Sequence, residues 1–138
     1  MSERRIRRVT RLLLALFYAT AGVFHLVLPQ PFVMVTPPWV PAPELVVTLT
    51  GIAELFGAAG LAQGIWPALR RSAGWGLAVY AFCVWPANFH HMTLDLARPD
   101  KGLGLAYHLP RLAAQPLLIW LALWASGASP GKGGQRPR

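Results

Sequence analysis

The residues of this 138-residue chain that could do chemistry stand singly inside long apolar runs. On a helix, side chains three or four residues apart share a face, so positions at this spacing can meet in one site. Polar side chains recur mostly at this spacing in four separate stretches. They are Tyr18 and His25, then Glu54, then Asn88 and His91, and finally Tyr107, His108, Arg111 and Gln115. So many hydrogen-bonding groups in apolar surroundings predict a pocket that binds a small molecule.

Other kinds of site fit these residues less well. A di-iron helical bundle needs several glutamates with a histidine three residues later, and Glu54 has none there. His25, His91 and His108 could form a three-histidine site, but no short-range motif supports it, so we predict no metal. The apolar runs contain no Ser-His-Asp triad, and no catalytic residue is predicted. Cys83 is the only cysteine, which excludes a disulfide within the chain.

The composition places these residues in a membrane protein. Hydrophobic residues make up 54% of the chain and charged residues 13%, against about 25% charged in soluble domains. A bilayer core about 30 Å thick needs about 20 helical residues per span. The charge-poor runs therefore predict an all-α, integral membrane four-helix bundle in one domain, residues 1–125, with a disordered basic tail at 126–138. The predicted spans are about 9–28, 44–66, 73–93 and 103–125.

The net charge of +8 is unevenly distributed and predicts the topology. Basic residues cluster before the first span, between the second and third spans at Arg70 and Arg71, and in the tail. Because Lys and Arg concentrate in cytoplasmic segments, we expect both termini in the cytoplasm and a multi-pass protein of the cell inner membrane. The basic ends are expected to contact lipid head groups, not nucleic acid. A cleaved signal peptide is disfavoured because the first apolar run continues to Leu28.

Proline and small residues characterise the segments around the second span. Six prolines between residues 29 and 43 predict a connection without a helix. Phe32 and Trp39 are expected to act as interfacial anchors, with the connection lying across the outer mouth of the bundle. The spacing Gly60-x-x-x-Gly64 is typical of close helix packing. We assign it to packing within the chain, with a homo-oligomer as the alternative.

Depth along the predicted spans brings the polar groups together. His25, Asn88 and His91 lie near the outer ends of their spans, whereas Arg111 lies about 12 Å and Glu54 about 15 Å inside. An ionisable group inside a membrane costs at least ~2.5–3.5 kcal/mol, so it faces the interior and finds a partner. We therefore predict an outward-facing polar pocket. Glu54 and Arg111 are expected to form a buried ion pair in it, directly or through one ordered water.

The motifs that carry these residues resemble the DoxX-like family of small four-helix membrane proteins, over about residues 10–125. The resemblance rests on four motifs: Gly22-x-x-His25 with Pro37-Pro38-Trp39-Val40-Pro41; Gly51-Ile52-Ala53-Glu54-Leu55; Pro86-Ala87-Asn88 with His91; and Arg111-Leu112-x-x-Gln115. The family is named after a subunit of an archaeal thiosulfate:quinone oxidoreductase, and its wider relatives include a receptor-assembly chaperone. The resemblance thus implies a quinone or a partner membrane protein. The paired cysteines of its redox maturation relatives are absent, so thiol chemistry is not implied.

Three functions fit the sequence. The first is the binding of a small amphiphile such as a quinone in the outward-facing pocket, within a membrane redox complex. The second is a non-catalytic assembly factor that grips a partner membrane protein, and the third is a small oligomeric transporter. No built-in cofactor is predicted; a bound quinone or lipid is the expected small molecule. The sequence leaves open whether the protein is an enzyme.

The predicted topology is testable with single cysteines introduced in place of Thr36, Asp100 and Arg70, in a chain whose Cys83 is replaced. Positions 36 and 100 are expected outside, because their flanking segments lack the excess of Lys and Arg that marks cytoplasmic segments. An impermeant thiol reagent added to intact cells should label these two positions and leave position 70 unlabelled. Labelling at position 70 alone would show that the orientation is the reverse of the predicted one.

Overall fold

The computed structural model describes residues 2–129, which form five α-helices and no strand. This confirms the all-α class. The predicted tail at 130–138 lies outside the described residues, and Ser126, its expected first residue, instead closes the last helix and is fully buried. The helices are α1 (Glu3–Val27), α2 (Gln30–Val35), α3 (Pro43–Ala62), α4 (Pro67–Ala97) and α5 (Gly104–Ser126).

Proline and glycine set several of the helix boundaries. Pro43 and Pro67 stand in the first turns of α3 and α4, where a backbone N–H has no intrahelical acceptor. Gly127 ends α5 with a φ of 79°, the left-handed conformation that glycine adopts without strain. The second span is shorter than predicted, because α3 ends at Ala62 and a turn follows it up to Trp66.

The connection between α1 and α3 contains α2, so the expectation that its prolines exclude a helix is wrong. Pro31 lies in the first turn of α2, the one part of a helix that tolerates proline. α2 packs against α3 and α4, and so covers one end of the bundle. Proline removes a hydrogen bond inside a helix, as Pro86 does in α4, but it costs little in the first turn.

The four long helices pack in a ring. α1 packs mainly against α3 and α4 mainly against α5, and the ring closes through α3 with α4 and α1 with α5. Arg7 Nη1 donates to the Trp124 carbonyl (3.4 Å), and Arg70 Nε donates to the Ser126 carbonyl (3.2 Å). These bonds bring together the start of α1, the start of α4 and the end of α5, a region we call the basic end. α2 lies at the opposite end of the bundle.

Large apolar side chains cover the outside of the bundle. Leu13, Phe56, Phe82 and Trp120, one on each long helix, are all more than half exposed. α1 and α3 are each long and apolar enough to cross a membrane, judged by length and composition alone. Within residues 2–129, α4 and α5 do not meet the same test; both carry polar stripes and internal prolines.

Two glycines allow α1 and α3 to approach each other closely. A Cβ atom added to Gly22 would lie 2.8 Å from the backbone oxygen of Gly51, and one added to Gly51 would lie 2.8 Å from His25 Cβ. Both distances are shorter than a carbon atom tolerates. The glycines are therefore what lets His25 on α1 stand beside the middle of α3.

The small residues of the second span pack within the chain, but not as a Gly-x-x-x-Gly pair. A Cβ on Gly60 would lie 2.6 Å from Ala73 Cβ on α4, whereas one on Gly64 would meet nothing within 4 Å. Gly64 also stands beyond the end of α3. Only the first glycine of the motif therefore serves helix packing within residues 2–129.

Gly22→Ala tests the close approach. The added methyl group meets a backbone carbonyl that cannot move without displacing α3, so we expect a loss of about 1–3 kcal/mol, the usual cost of overpacking. Gly76→Ala on α4 is the matched control, because its Cβ would enter open space and alanine is favoured over glycine in a helix by roughly 0.5–1 kcal/mol. Melting temperatures of the purified variants should fall for the first and hold or rise for the second. Equal effects would show that α1 and α3 are not in tight contact.

Candidate functional site

A cavity of about 490 Å³ lies between the four long helices and the connection that contains α2. This volume falls within the range of small-molecule sites, roughly 300–1,000 Å³. Two of the predicted site residues, His91 and His108, do not line it. The other seven do: Tyr18, His25, Glu54, Asn88, Tyr107, Arg111 and Gln115.

The carboxyl group of Glu54 is the most buried charge-bearing group in the cavity wall, with the residue only 3% exposed. The hydroxyl of Tyr80 donates to its Oε1 atom over 2.7 Å. His25 Nδ1 lies 2.9 Å from Oε2 and also 2.9 Å from the Ala21 carbonyl oxygen. The ring nitrogen meets hydrogen-bond geometry towards the Ala21 carbonyl, and its contact with Oε2 is an ion-pair distance that does not meet that geometry. Oε2 therefore has a close electrostatic contact with the ring but no hydrogen bond among residues 2–129.

Tyr18 supplies the complementary group. It is 2% exposed, and its hydroxyl has no hydrogen-bond partner in the described part of the chain. Its ring packs edge-on against that of Tyr80, with centroids 6.3 Å apart. Roughly 90% or more of buried polar groups are hydrogen-bonded in folded proteins. A donor on Tyr18 and an acceptor on Glu54, both buried in the wall of one cavity, are groups that a bound polar molecule would satisfy.

Tyr80 lines the cavity and bonds to Glu54, but it is not among the residues predicted from the sequence. Counted from the outer end of the predicted third span, Tyr80 lies at a depth within about 5 Å of that of Glu54 at helical rise. A tyrosine in the middle of an apolar span is amphipathic, and its hydroxyl normally finds a partner when buried. Depth and residue type together were therefore the available signal.

Arg111 contacts His91 instead of Glu54. Its Nη1 donates to His91 Nδ1 over 2.7 Å, and its guanidinium carbon lies 5.7 Å from the centre of the Tyr107 ring. The ion pairs formed within residues 2–129 do not include Glu54 with Arg111. The predicted direct ion pair is wrong, because nearer groups on α1 and α4 take the place of each partner.

Two amides complete the polar wall. Gln115 Nε2 donates to the carbonyl of Ala81 over 3.2 Å, in the turn of α4 that precedes Pro86. Pro86 leaves the carbonyl four residues earlier, that of Phe82, without its helical donor, and Gln115 bonds to the carbonyl next to it. Asn88 lines the cavity and makes no side-chain hydrogen bond among the residues described. Its amide, like the Gln115 oxygen, is available to a ligand.

His91 and His108 belong to a second polar cluster around Asp95, beside the cavity. Asp95 Oδ2 accepts hydrogen bonds from the Leu103 N–H (3.0 Å) and His108 Nε2 (2.9 Å), and lies 3.6 Å from His91 Nε2. The first two donors hold the pKa of the Asp95 carboxyl below its usual range. The cluster ties the end of α4 to the start of α5, and so holds Arg111 in place through His91.

The same cluster offers one ligand atom each from His91, Asp95 and His108, all within 4.8 Å of one another. His25 is not a member, so the three-histidine arrangement considered above is wrong. For His91 Nε2 to bind a cation, its Nδ1 would have to carry a proton. That proton would face the guanidinium of Arg111, 2.7 Å away. The geometry therefore suits a hydrogen-bonded cluster better than a metal site.

The connection closes one side of the cavity. The Phe32 ring stacks on His25 with centroids 3.8 Å apart and so packs against the cavity wall; its role as an interfacial anchor stays a prediction. His90 Nδ1 lies 2.9 Å from the Val35 carbonyl oxygen and ties α2 to α4. Trp39 lines the cavity while remaining 71% exposed.

Another cavity, of about 620 Å³, lies between α3 and α4. It contains none of the predicted site residues, and its lining is apolar apart from Gln63 and Tyr80. Ligand sites combine apolar walls with a few polar groups that fix orientation. The smaller cavity has both features and is the candidate site.

Double-mutant cycles test these contacts. Because Tyr80 donates directly to Glu54, the losses of stability in Glu54→Gln and Tyr80→Phe should not add, with a coupling of about 0.5–3 kcal/mol. The matched cycle of Glu54→Gln with Arg111→Gln should give near-additive losses, since these groups contact different partners. Unfolding of the four single and double variants in mild detergent measures both. Strong coupling between Glu54 and Arg111, with none between Glu54 and Tyr80, would show instead that Glu54 and Arg111 form the predicted ion pair.

The comparisons with known proteins give one finding. A family model described as a domain of unknown function (DUF8561) matches residues 14–126, which include every residue that lines the candidate site. No curated protein and no solved structure gives a significant match. The match covers most of the chain, and the protein belongs to the DUF8561 family.

Proposed function

We propose that this protein is a multi-pass protein of the cell inner membrane whose outward-facing cavity binds a small amphiphile with a quinone-like head group. One observation carries the proposal. The wall of a 490 Å³ cavity holds a buried carboxylate oxygen of Glu54 and a buried hydroxyl of Tyr18, neither of which has a hydrogen-bond partner among residues 2–129. Each of these atoms needs a complementary group.

The membrane part of the proposal is supported by the distribution of side chains. Apolar residues cover the outside of all four long helices. The polar side chains of Asn88 on α4 and Gln115 on α5 are buried in the interior of the bundle. A protein in lipid places its polar side chains in this way, because they cost free energy unless they face the interior. The basic end lies opposite α2, and basic segments mark the cytoplasmic side. We therefore place both termini in the cytoplasm and the cavity towards the outside.

The polar groups of the cavity wall favour a ligand whose ring carries oxygen atoms at its edges. The Tyr18 hydroxyl can donate to a carbonyl oxygen, and Glu54 Oε2 can accept from a hydroxyl. Arg111, on a different helix, can donate to an oxygen at another edge of the ring. A quinone and its quinol offer these carbonyl and hydroxyl groups on one ring, with a tail that apolar surroundings accept.

Tyr80 donates to Glu54 and His25 stands against it, and these side chains lie beside the head group's place, where they can bind and orient it. We assign electron transfer to a partner subunit of a redox complex, in keeping with the DoxX-like resemblance. A non-catalytic assembly factor or an oligomeric transporter would replace this assignment if the cavity proves to bind no ligand.

Binding of a short-chain benzoquinone to the purified protein tests the proposal, with quenching of tryptophan fluorescence as the readout. Tyr18→Phe should weaken binding roughly two- to tenfold, the value of one neutral hydrogen bond, and Glu54→Gln by at least about tenfold, because the bond to its carboxylate is charged. Arg111→Gln should weaken it by at least about tenfold, because its hydrogen bond is charged. Thr48→Val is the matched control, since the Thr48 hydroxyl bonds to the Glu44 carbonyl on an exposed face.

Mass spectrometry of the protein extracted in mild detergent provides the second readout. A copurified quinone or quinol at near one per chain, lost in Glu54→Gln, is the expected result. Equal binding by wild type and all cavity variants would contradict the proposal. A stable partner protein with an empty cavity would favour the assembly factor.

A further inference from the structure

A buried arginine side chain lies at the basic end, away from the cavity. Arg11 on α1 is only 8% exposed, and its Nε has no hydrogen-bond partner among residues 2–129. Arginine is almost never buried without a partner, because the guanidinium stays charged and loses its hydration. Arg11 Nε is therefore a buried donor that an oxygen of a bound anion would satisfy.

The acceptors at this end are already used by other arginines. Arg7 bonds to the carbonyl of Trp124 and Arg70 bonds to that of Ser126, so the carbonyls that end α5 are engaged. Glu3 is the acidic residue at this end, and its carboxylate pairs with Arg7 at 3.0 Å. Neither these carbonyls nor the Glu3 carboxylate forms a hydrogen bond or ion pair with Arg11.

The charges around Arg11 increase the need for an anion. The neighbouring charged groups that act on it are Arg8 and Arg70, both positive. The other four carboxylates of the sequence lie in the middle of the bundle or towards its opposite end. They are Glu44, Glu54, Asp95 and Asp100. Three guanidinium groups thus share one region that has no free carboxylate within residues 2–129.

We propose that Arg11, Arg8 and Arg70 bind a phosphate group at the basic end. Guanidinium groups present paired N–H donors that match phosphate oxygens, and phosphate carries the charge that this region needs. Exposed apolar side chains begin directly beside the site, at Leu12 and Leu13. This boundary between basic and apolar surface is where the phosphate of an anionic phospholipid would lie. Free phosphate has the same chemistry, and the two sources are separable by experiment.

The test uses the full chain in detergent, titrated with phosphatidylglycerol, with phosphatidylcholine or with inorganic phosphate. Phosphatidylglycerol should raise the melting temperature in a saturable way, and phosphatidylcholine should raise it far less. Arg11→Gln should lower the apparent affinity for phosphatidylglycerol by about tenfold or more. The matched control is Arg5→Gln, the same charge change at an exposed position of the same helix.

Each outcome decides the inference. Saturation by phosphatidylglycerol alone identifies a lipid site, and saturation by inorganic phosphate as well identifies a site for phosphate in general. Equal losses in Arg11→Gln and Arg5→Gln would overturn the inference, because they would show only diffuse attraction between charges. If Arg11→Gln does not fold, the wild-type protein still decides. Native mass spectrometry must then show one retained phosphatidylglycerol per chain that excess phosphatidylcholine does not replace, and its absence would equally overturn the inference. This test is independent of the cavity ligand.

Discussion

A carboxyl group buried in the middle of an apolar helix is the constraint on which the rest of this structure depends. Glu54 is almost inaccessible, and an unpaired charge there would cost several kcal/mol. The chain meets this cost with groups from two other helices: Tyr80 from α4 donates to one oxygen, and His25 from α1 stands against the other. The packing of α1, α3 and α4 is therefore tied to one side chain.

The close contact of α1 with α3 follows from the same constraint. His25 reaches Glu54 only because Gly22 and Gly51 carry no side chain, so the backbones of α1 and α3 can approach each other closely. At the other side of the cavity, His91 lies 3.6 Å from Asp95 and accepts a hydrogen bond from Arg111 on α5. Two polar clusters thus stabilise opposite walls of the cavity. Between them, the Tyr18 hydroxyl and Glu54 Oε2 have no hydrogen-bond partner among residues 2–129.

The sequence predicted which side chains face the interior better than it predicted their partners. Helical spacing identifies a shared face whatever the neighbours are, and seven of the nine predicted residues line one cavity. Partners depend on which helices touch and how they tilt, and depth alone paired Glu54 with Arg111 wrongly. Tyr80 stands two helical turns before Asn88, with Cys83 and Val84 in the turn between, so spacing did not join it to the polar stripe. α2 was missed because its proline lies in the first turn, where the usual penalty does not apply.

The central claim is that the cavity holds an amphiphile through Glu54 and Tyr18. A density map of the purified protein in lipid nanodiscs, at a resolution that resolves side chains, tests it most directly. We predict density that is not protein within the cavity, with polar atoms within about 3.2 Å of both Glu54 Oε2 and the Tyr18 hydroxyl. A cavity closed by the protein's own side chains, with Glu54 paired to Arg111, would contradict the account.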